Sequence, residues 1–348
     1  MTAPHPFRRR SAVALALAVA AFALVAACGS APPTSAGAST PGFPLTVKNC
    51  GVDVTLPAPP KRVVLVGNEE VSLVAGVGAL DRVVAKIGDF PRGLFGRDVD
   101  EILAGIPNLN SSVNGGGGVQ ASLESVINTE PDLVVGYETP TLTRAALEKA
   151  GIPLIVNPSY CGEIGDERGH ARAAVSFANV YDEVALFGRL FGEQSRATTF
   201  ATSLRKRVAA ARAKATKGTT TAAALYVGKA AGLLEAYGNG AVINAELEAA
   251  GLTNVYGEED KRVFTVSTED LLERDPDVLV LLSSGDPDTF EQTLRAVPGT
   301  DGLTALRSGR VLAEHYSYGD PATPLTVSGL EHLVASLGKE GETGRDHR

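Results

Sequence analysis

"TEPDLVVGY" occupies residues 129–137, and "RDPDVLVLL" occupies residues 274–282. The two phrases share one grammar. Ser122, Glu124, Val126 and Ile127 precede Pro131 at the same offsets at which Ser267, Glu269, Leu271 and Leu272 precede Pro276. Each reads as a short helix, with a serine to cap it and apolar residues on one face. The proline then ends the helix. An aspartate follows, and after it a run of Val and Leu. A run without alternation suits a strand buried on both faces, as in a parallel sheet.

The flanks repeat as well. "RVVLVG" (62–67) and a helix through "EEVSLVAGVG" precede the first phrase, and "AALYVG" (223–228) and a helix through "VINAELEAAG" precede the second. "TLTRAALEKAG" and the strand "IPLIV" follow the first; "DTFEQTLRAV" and "GRVLAEHY" follow the second. Strands alternating with helices in each half predict an α/β protein of two doubly wound, Rossmann-like lobes. Residues 171–217 carry Phe177, Val180, Val184, Phe187, Phe191, Phe200, Leu204 and Val208 at helical spacing. They predict a long connecting helix, with Gly188 and Gly192 as points where it breaks in two. A chain of 348 residues suits two lobes better than one core. The expected cleft between them is lined by loops at the carboxyl ends of the strands.

The N-terminal segment reads as a processing signal rather than as fold. Arg8–Arg10 form a basic region and 11–27 an apolar one, too short for a confident membrane span. The segment ends "LVAAC", which resembles the lipobox of bacterial lipoproteins and makes Cys28 the lipidation candidate. The expected organisation is a signal peptide over 1–27 and a lipid-anchored tether over 28–44. An N-terminal lobe follows over 45–170, then the connecting helix over 171–217. A C-terminal lobe spans 218–337 and a flexible tail 338–348. With Cys28 assigned to lipid, Cys50 and Cys161 remain, and an oxidising compartment makes a disulfide the default, with two thiols or half a metal site as alternatives.

Composition excludes several classes. A formal net charge of −8 argues against a general nucleic-acid binder. No GxSxG, HExxH or Walker loop is present, so no catalytic residue is assigned. "GGGG" (115–118) lacks the Lys-Ser/Thr of a phosphate loop and reads as a cleft-edge loop. Of five histidines, only His170, His315 and His332 lie in the expected body, far apart in sequence. A receptor for bare zinc or manganese needs more ligands than that.

The order and spacing of "TVKNCGVDVTLPAPPKRVVLV", "NEEVSLVAGVGALDRVV", "SLESVINTEPDLVVG", "EKAGIPLIVNPSYC", "LFGRLFG", "AYGNGAVINAELEAAGLTNVY" and "STEDLLERDPDVLVLL" resemble the substrate-binding lipoproteins of bacterial ABC importers for ferric siderophores, vitamin B12 or haem. The resemblance spans about residues 45–337. It implies a monomer anchored by lipid to the outer face of the cell membrane. That protein captures a small chelate, delivers it to a permease with a cytoplasmic ATPase, and does no chemistry itself. No cofactor is expected, and iron enters only inside the ferric siderophore. Cys50 and Cys161 match a cysteine pair frequent in the siderophore branch. In such receptors an acidic residue on each lobe meets the permease. Glu70 matches in the first lobe, with Glu69 beside it as a substitute, and Glu246 is offered in the second, although strict alignment places Ala245 there. Haem and cobalamin remain alternatives of the same type; a secreted enzyme or a surface interaction protein are alternatives of another.

Loop residues just after strands are the candidates to hold the ligand. These are Asn68, Arg92, Tyr137, Glu138 and Tyr160 in the first lobe. In the second they are Lys229, Tyr237, Asn239, Arg262, Ser283, Ser284, Tyr316 and Tyr318. Tyrosine offers an apolar face and a hydroxyl, and arginine a rigid fork of donors for the oxygens around a chelated metal. Tyr237 is the preferred single residue, since "EAYGNG" sets an aromatic beside glycines.

Overall fold

The computed structural model describes residues 40–110, 121–161, 173–215, 219–228 and 234–343, with side chains to 338. The signal segment, Cys28, "GGGG" (115–118), His170 and Lys229 lie outside these residues.

The first lobe is a four-stranded parallel sheet. Its strands are β3 (Val63–Val66), β4 (Val83–Ile87), β5 (Leu133–Gly136) and β6 (Leu154–Val156), in the order β4-β3-β5-β6. The chain runs outward from β3 to β4 and then crosses to β5, so the switch in strand order falls between β3 and β5. That is where ligands of open α/β sheets bind. Helices α1 (Val71–Gly76), α2 (Arg97–Gly105), α3 (Leu123–Ile127) and α4 (Arg144–Lys149) connect the strands. A hairpin of β1 (Leu45–Asn49) and β2 (Val52–Leu56) precedes them. The Asn49 amide donates to the Val156 carbonyl at 2.7 Å and accepts from the Val156 N–H at 2.9 Å, which occupies the open edge of β6. The Cys50–Cys161 disulfide ties the hairpin turn to the segment after β6. Phe43 is buried in the core, so the folded body takes in the last residues of the stretch read as tether.

Two helices fill the middle of the chain, α5 (Phe177–Phe191) and α6 (Gln194–Arg212). They part at Gly192, whose left-handed backbone (φ +71°) caps α5. Gly188 does not break the helix. It lets α6 approach, since a Cβ there would stand 2.3 Å from that of Ala197.

The second lobe is built on β7 (Thr221–Val227), β8 (Leu234–Tyr237), β9 (Thr253–Asn254), β10 (Val263–Val266), β11 (Val278–Ser283) and β12 (Val311–His315). The sheet order is β10-β8-β7-β11-β12, with β9 also on β7. β7, β11 and β12 are parallel, as expected, but β8 and β10 run antiparallel to their neighbours. The second sheet is therefore mixed. Around it lie α7 (Val242–Ala249), α8 (Thr268–Arg274), α9 (Phe290–Arg295), α10 (Thr304–Ser308) and α11 (Leu325–Thr343). α11 continues through the first part of the stretch read as a tail.

The repeated phrase has a mechanical reason. The Asp132 carboxylate accepts from the Lys61 and Arg62 N–H groups at 2.7 and 2.9 Å, just before β3. Asp277 accepts from the Thr221 N–H at 2.8 Å and its hydroxyl at 3.0 Å, at the start of β7. In each lobe the aspartate of "PD" thus clamps the start of the adjacent parallel strand. Ser122 and Ser267 each cap their helix by accepting from the N–H three residues on.

Candidate functional site

The carboxyl ends of the first lobe's strands meet the second lobe through polar side chains. Asn68 follows β3. Its amide donates to the Asp89 carbonyl at 3.0 Å, and its oxygen accepts from the Ser317 hydroxyl at 2.9 Å. Glu69 is the centre of the cluster. One carboxylate oxygen accepts from the Tyr316 hydroxyl at 2.5 Å and, more weakly, from that of Tyr160 at 3.4 Å. Burial pushes the Glu69 carboxyl up, and the two phenols partly offset it. Tyr137 stands edge-on to Tyr160 with ring centroids 5.4 Å apart.

From the second lobe, the Arg262 guanidinium lies over the Tyr160 ring, 5.3 Å from its centroid, and pairs with the buried Asp320. Tyr316 packs on His315, which burial holds neutral, with its pKa lowered to about 4. The Tyr318 hydroxyl reaches the Leu94 carbonyl at 3.5 Å. Burial raises the phenols of Tyr137, Tyr160 and Tyr316, so all three are neutral donors at physiological pH. Together they present hydroxyls, aromatic faces and one guanidinium to the interlobe surface. Among the described residues, no group of three or more His, Cys, Asp or Glu side chains could hold a metal ion.

Of the sequence candidates, Asn68, Tyr137, Tyr160, Arg262, Tyr316 and Tyr318 are thus brought to one region. Glu138 is turned away, accepting from the Arg144 N–H at the start of α4. Asn239 donates to the Gly257 carbonyl at 3.1 Å, and its backbone oxygen accepts from Val175 at 2.9 Å. Ser283 is buried at the end of β11, Ser284 is exposed beyond it, and Arg92 is exposed on the loop after β4. Tyr237 corrects the reading of "EAYGNG". It ends strand β8 at 2% exposure and packs in the hydrophobic core.

Glu70 and Glu246 also differ from expectation. Each is 1% exposed, so neither lies on a solvated helix face nor offers its carboxylate to a partner in this arrangement. Glu70 immediately precedes α1, which packs on α5, and its side chain makes no capping hydrogen bond. Glu246 is covered by α11. Gly329 comes so close that a Cβ there would stand 2.8 Å from the Glu246 carboxylate. Burial, with the neighbouring charges of Glu183 and Glu69 in one case and Glu314 and Asp320 in the other, raises both carboxyls well above the usual range.

Sequence reasoning missed Asp320, Ser317, Asn157 and Glu183. The first two sit in "YSYGDP", a turn whose aromatic residues drew attention away from the small polar ones between them. Glu183 sits mid-helix at a position that charge alone assigns to solvent.

Two sheets with parallel cores, two intervening helices and a polar interlobe surface define a two-lobed binding protein. Residues 63–315 match the periplasmic binding protein family, and the chain belongs to it. A solved structure from Saccharomonospora viridis, described as an ABC-type Fe3+-hydroxamate transport system, is 41% identical. The match covers 85% of this chain and 99% of that one, with a TM-score of 0.77. A curated cobalamin-binding protein of Halobacterium salinarum is 27% identical over 345 residues, 95% of this chain and 84% of its own length. A periplasmic haem-binding protein from Roseiflexus shares the fold at 21% identity and a TM-score of 0.60, over 79% of this chain and 97% of that one. No helix among the described residues is long and apolar enough to cross a membrane.

Proposed function

We propose that this chain captures a ferric siderophore of the hydroxamate type between its lobes and delivers it unchanged to the permease of an ABC importer. The observation that carries this reading is the 41% identity, over nearly the whole of that chain, to the Saccharomonospora protein. The site chemistry supports it. Three neutral phenols and the Arg262 guanidinium are donors suited to the oxygens that surround a chelated ferric ion. The lobes touch directly through Glu69–Tyr316 and Asn68–Ser317, so a whole chelate enters by parting them. Cys28 carries the lipid that holds the protein at the outer face of the membrane, and the protein acts as a monomer without catalysis.

Titration of the purified protein with ferric hydroxamates, ferric catecholates, ferric citrate, haem and cobalamin tests the reading. One-to-one binding of a ferric hydroxamate, recovered intact, is the expected outcome. Cobalamin binding with no ferric chelate bound would overturn it in favour of the second reading, which the Halobacterium relative supports. Mass spectrometry of the membrane-extracted protein is expected to find a lipid on Cys28.

A further inference from the structure

Beside the turn that leads into Tyr160 lies a cavity of about 290 Å³, at the small end of sites that hold organic molecules. The turn after β6 forms one wall, the start of α5 and the residues before it a second, and Ala322 of the other lobe a third. Ala174, Val175 and Ala322 make it partly apolar; Asn157, Asp182 and Glu183 make it polar.

One of those polar groups is buried without a partner, and a second is poorly paired. Glu183 is 8% exposed, and its Oε2 has no hydrogen-bond partner. The Asn157 oxygen accepts from the Ser159 N–H at 3.0 Å, which turns its amide towards the Glu70 carboxyl, although without good hydrogen-bond geometry. The Glu70 carboxyl lies close enough to feel the Glu183 charge, and neither of its oxygens has a hydrogen bond of good geometry. Buried polar groups in folded proteins are nearly always satisfied, so each such group calls for an explanation. Among the described residues, no Lys, Arg or His lines the cavity, while Asp182 and Glu183 do.

We propose that this cavity binds a primary ammonium group on a short aliphatic arm, with Glu183 as its counter-ion. The methylenes lie against Ala174, Val175 and Ala322. Burial, with the charge of Asp182 added, pushes the Glu183 carboxyl up to about 8. A cation beside it restores the ionised form, and the Asp182 carboxylate on the same wall adds to the attraction. The arm belongs either to a free alkylamine or to the solute held in the adjoining cleft; the latter case rests on the function proposed above.

Calorimetric titration of the full chain with pentylammonium chloride, against 1-pentanol of similar shape, tests the assignment. Pentylammonium is expected to bind about tenfold tighter or better than the alcohol, and the preference is expected to vanish in Glu183→Gln. Ala174→Phe fills the cavity from its exposed rim without touching a carboxylate, and is expected to abolish binding of both probes. Equal affinity for amine and alcohol, or undiminished amine binding in Glu183→Gln, would overturn the proposal. Ferrioxamine B, a ferric trihydroxamate with a free ammonium, and its N-acetylated form separate the sources. A preference for the ammonium form that Glu183→Gln removes assigns the cavity to the solute's arm. Equal binding of the two, with pentylammonium still bound, assigns it to a free amine. Binding of neither chelate counts against the ferric hydroxamate reading alone, because the pentylammonium titration still decides the cavity.

Discussion

Replacing Glu183 by Gln is expected to stabilise the protein, and to do so only at neutral to alkaline pH. Glu183 sits on the buried face of α5 with its carboxyl raised to about 8 from an ordinary 4.5, chiefly by desolvation and secondarily by Asp182. A carboxyl whose folded pKa is raised holds its proton more tightly in the native state than in the unfolded one. Its favourable contribution is therefore complete below pH 4.5 and is lost as pH rises towards 8. At 1.36 kcal/mol per unit, the loss is about 5 kcal/mol at most, and entering water would reduce it. Glutamine does not titrate, so the stability gap between variant and wild type should widen by a few kcal/mol, up to about 5, between about pH 5 and pH 9. Urea unfolding across that range, followed by far-UV circular dichroism because the chain has no tryptophan, measures it. Glu70 supplies a second check, because the Glu183 charge helps to raise its carboxyl. At alkaline pH the gains from Glu70→Gln and Glu183→Gln should sum to more than the gain from the double variant. A stability gap that stays constant with pH would refute the claim that Glu183 is desolvated.

Tyr316→Phe leaves one Glu69 oxygen with only the long contact to Tyr160, and should destabilise the closed arrangement by about 1–3 kcal/mol; calorimetric melting at a pH where Glu69 is ionised checks this, and an unchanged midpoint would count against it. The Cys50→Ser/Cys161→Ser double variant opens a loop of 111 residues' separation and should lose about 4–5 kcal/mol in the chain-entropy account, read from urea midpoints; equal stability of oxidised and double-variant protein would contradict that account.

The two lobes were legible because parallel strands buried on both faces leave unbroken Val/Leu runs, and because Pro131, Asp132, Pro276 and Asp277 punctuate them alike. The antiparallel strands were not. "LEAY" and "VFTV" are four residues each, too short for a period to show, and "EAYGNG" looks the same whether its tyrosine faces a cleft or the core. Placing tyrosines after strands found most of the interlobe cluster, since strand ends are where an α/β lobe exposes loops. The acids were misread for the converse reason. Glu183 lies three residues after Val180 and four before Phe187, and Glu246 four after Val242 and three before Ala249, so helical spacing puts both on buried faces that their charge argued against.

The same acids say how the lobes are held. At the named cross-cleft contacts the surface is polar: Glu69 to Tyr316, Asn68 to Ser317, Arg262 over Tyr160, Ser159 to Ala322. Hydrogen bonds of this kind contribute about 1 kcal/mol each on balance, because water replaces them when the surfaces part. An apolar seam would hold the lobes far more firmly per unit area. Polar contacts can instead be exchanged one for one with a solute rich in oxygen acceptors. Glu69 matters most in that exchange, since its carboxylate accepts from the two phenols that chelate oxygens would claim on the proposed reading. A solute must displace a desolvated carboxyl that is itself under-satisfied, with one oxygen unpartnered. What it displaces is weak, and what it gains is the full donor set. On the proposed reading the cleft is thus arranged so that closing without solute costs little to undo, while α6 packs on α1 of the first lobe and on α7 and α11 of the second and so ties the two together.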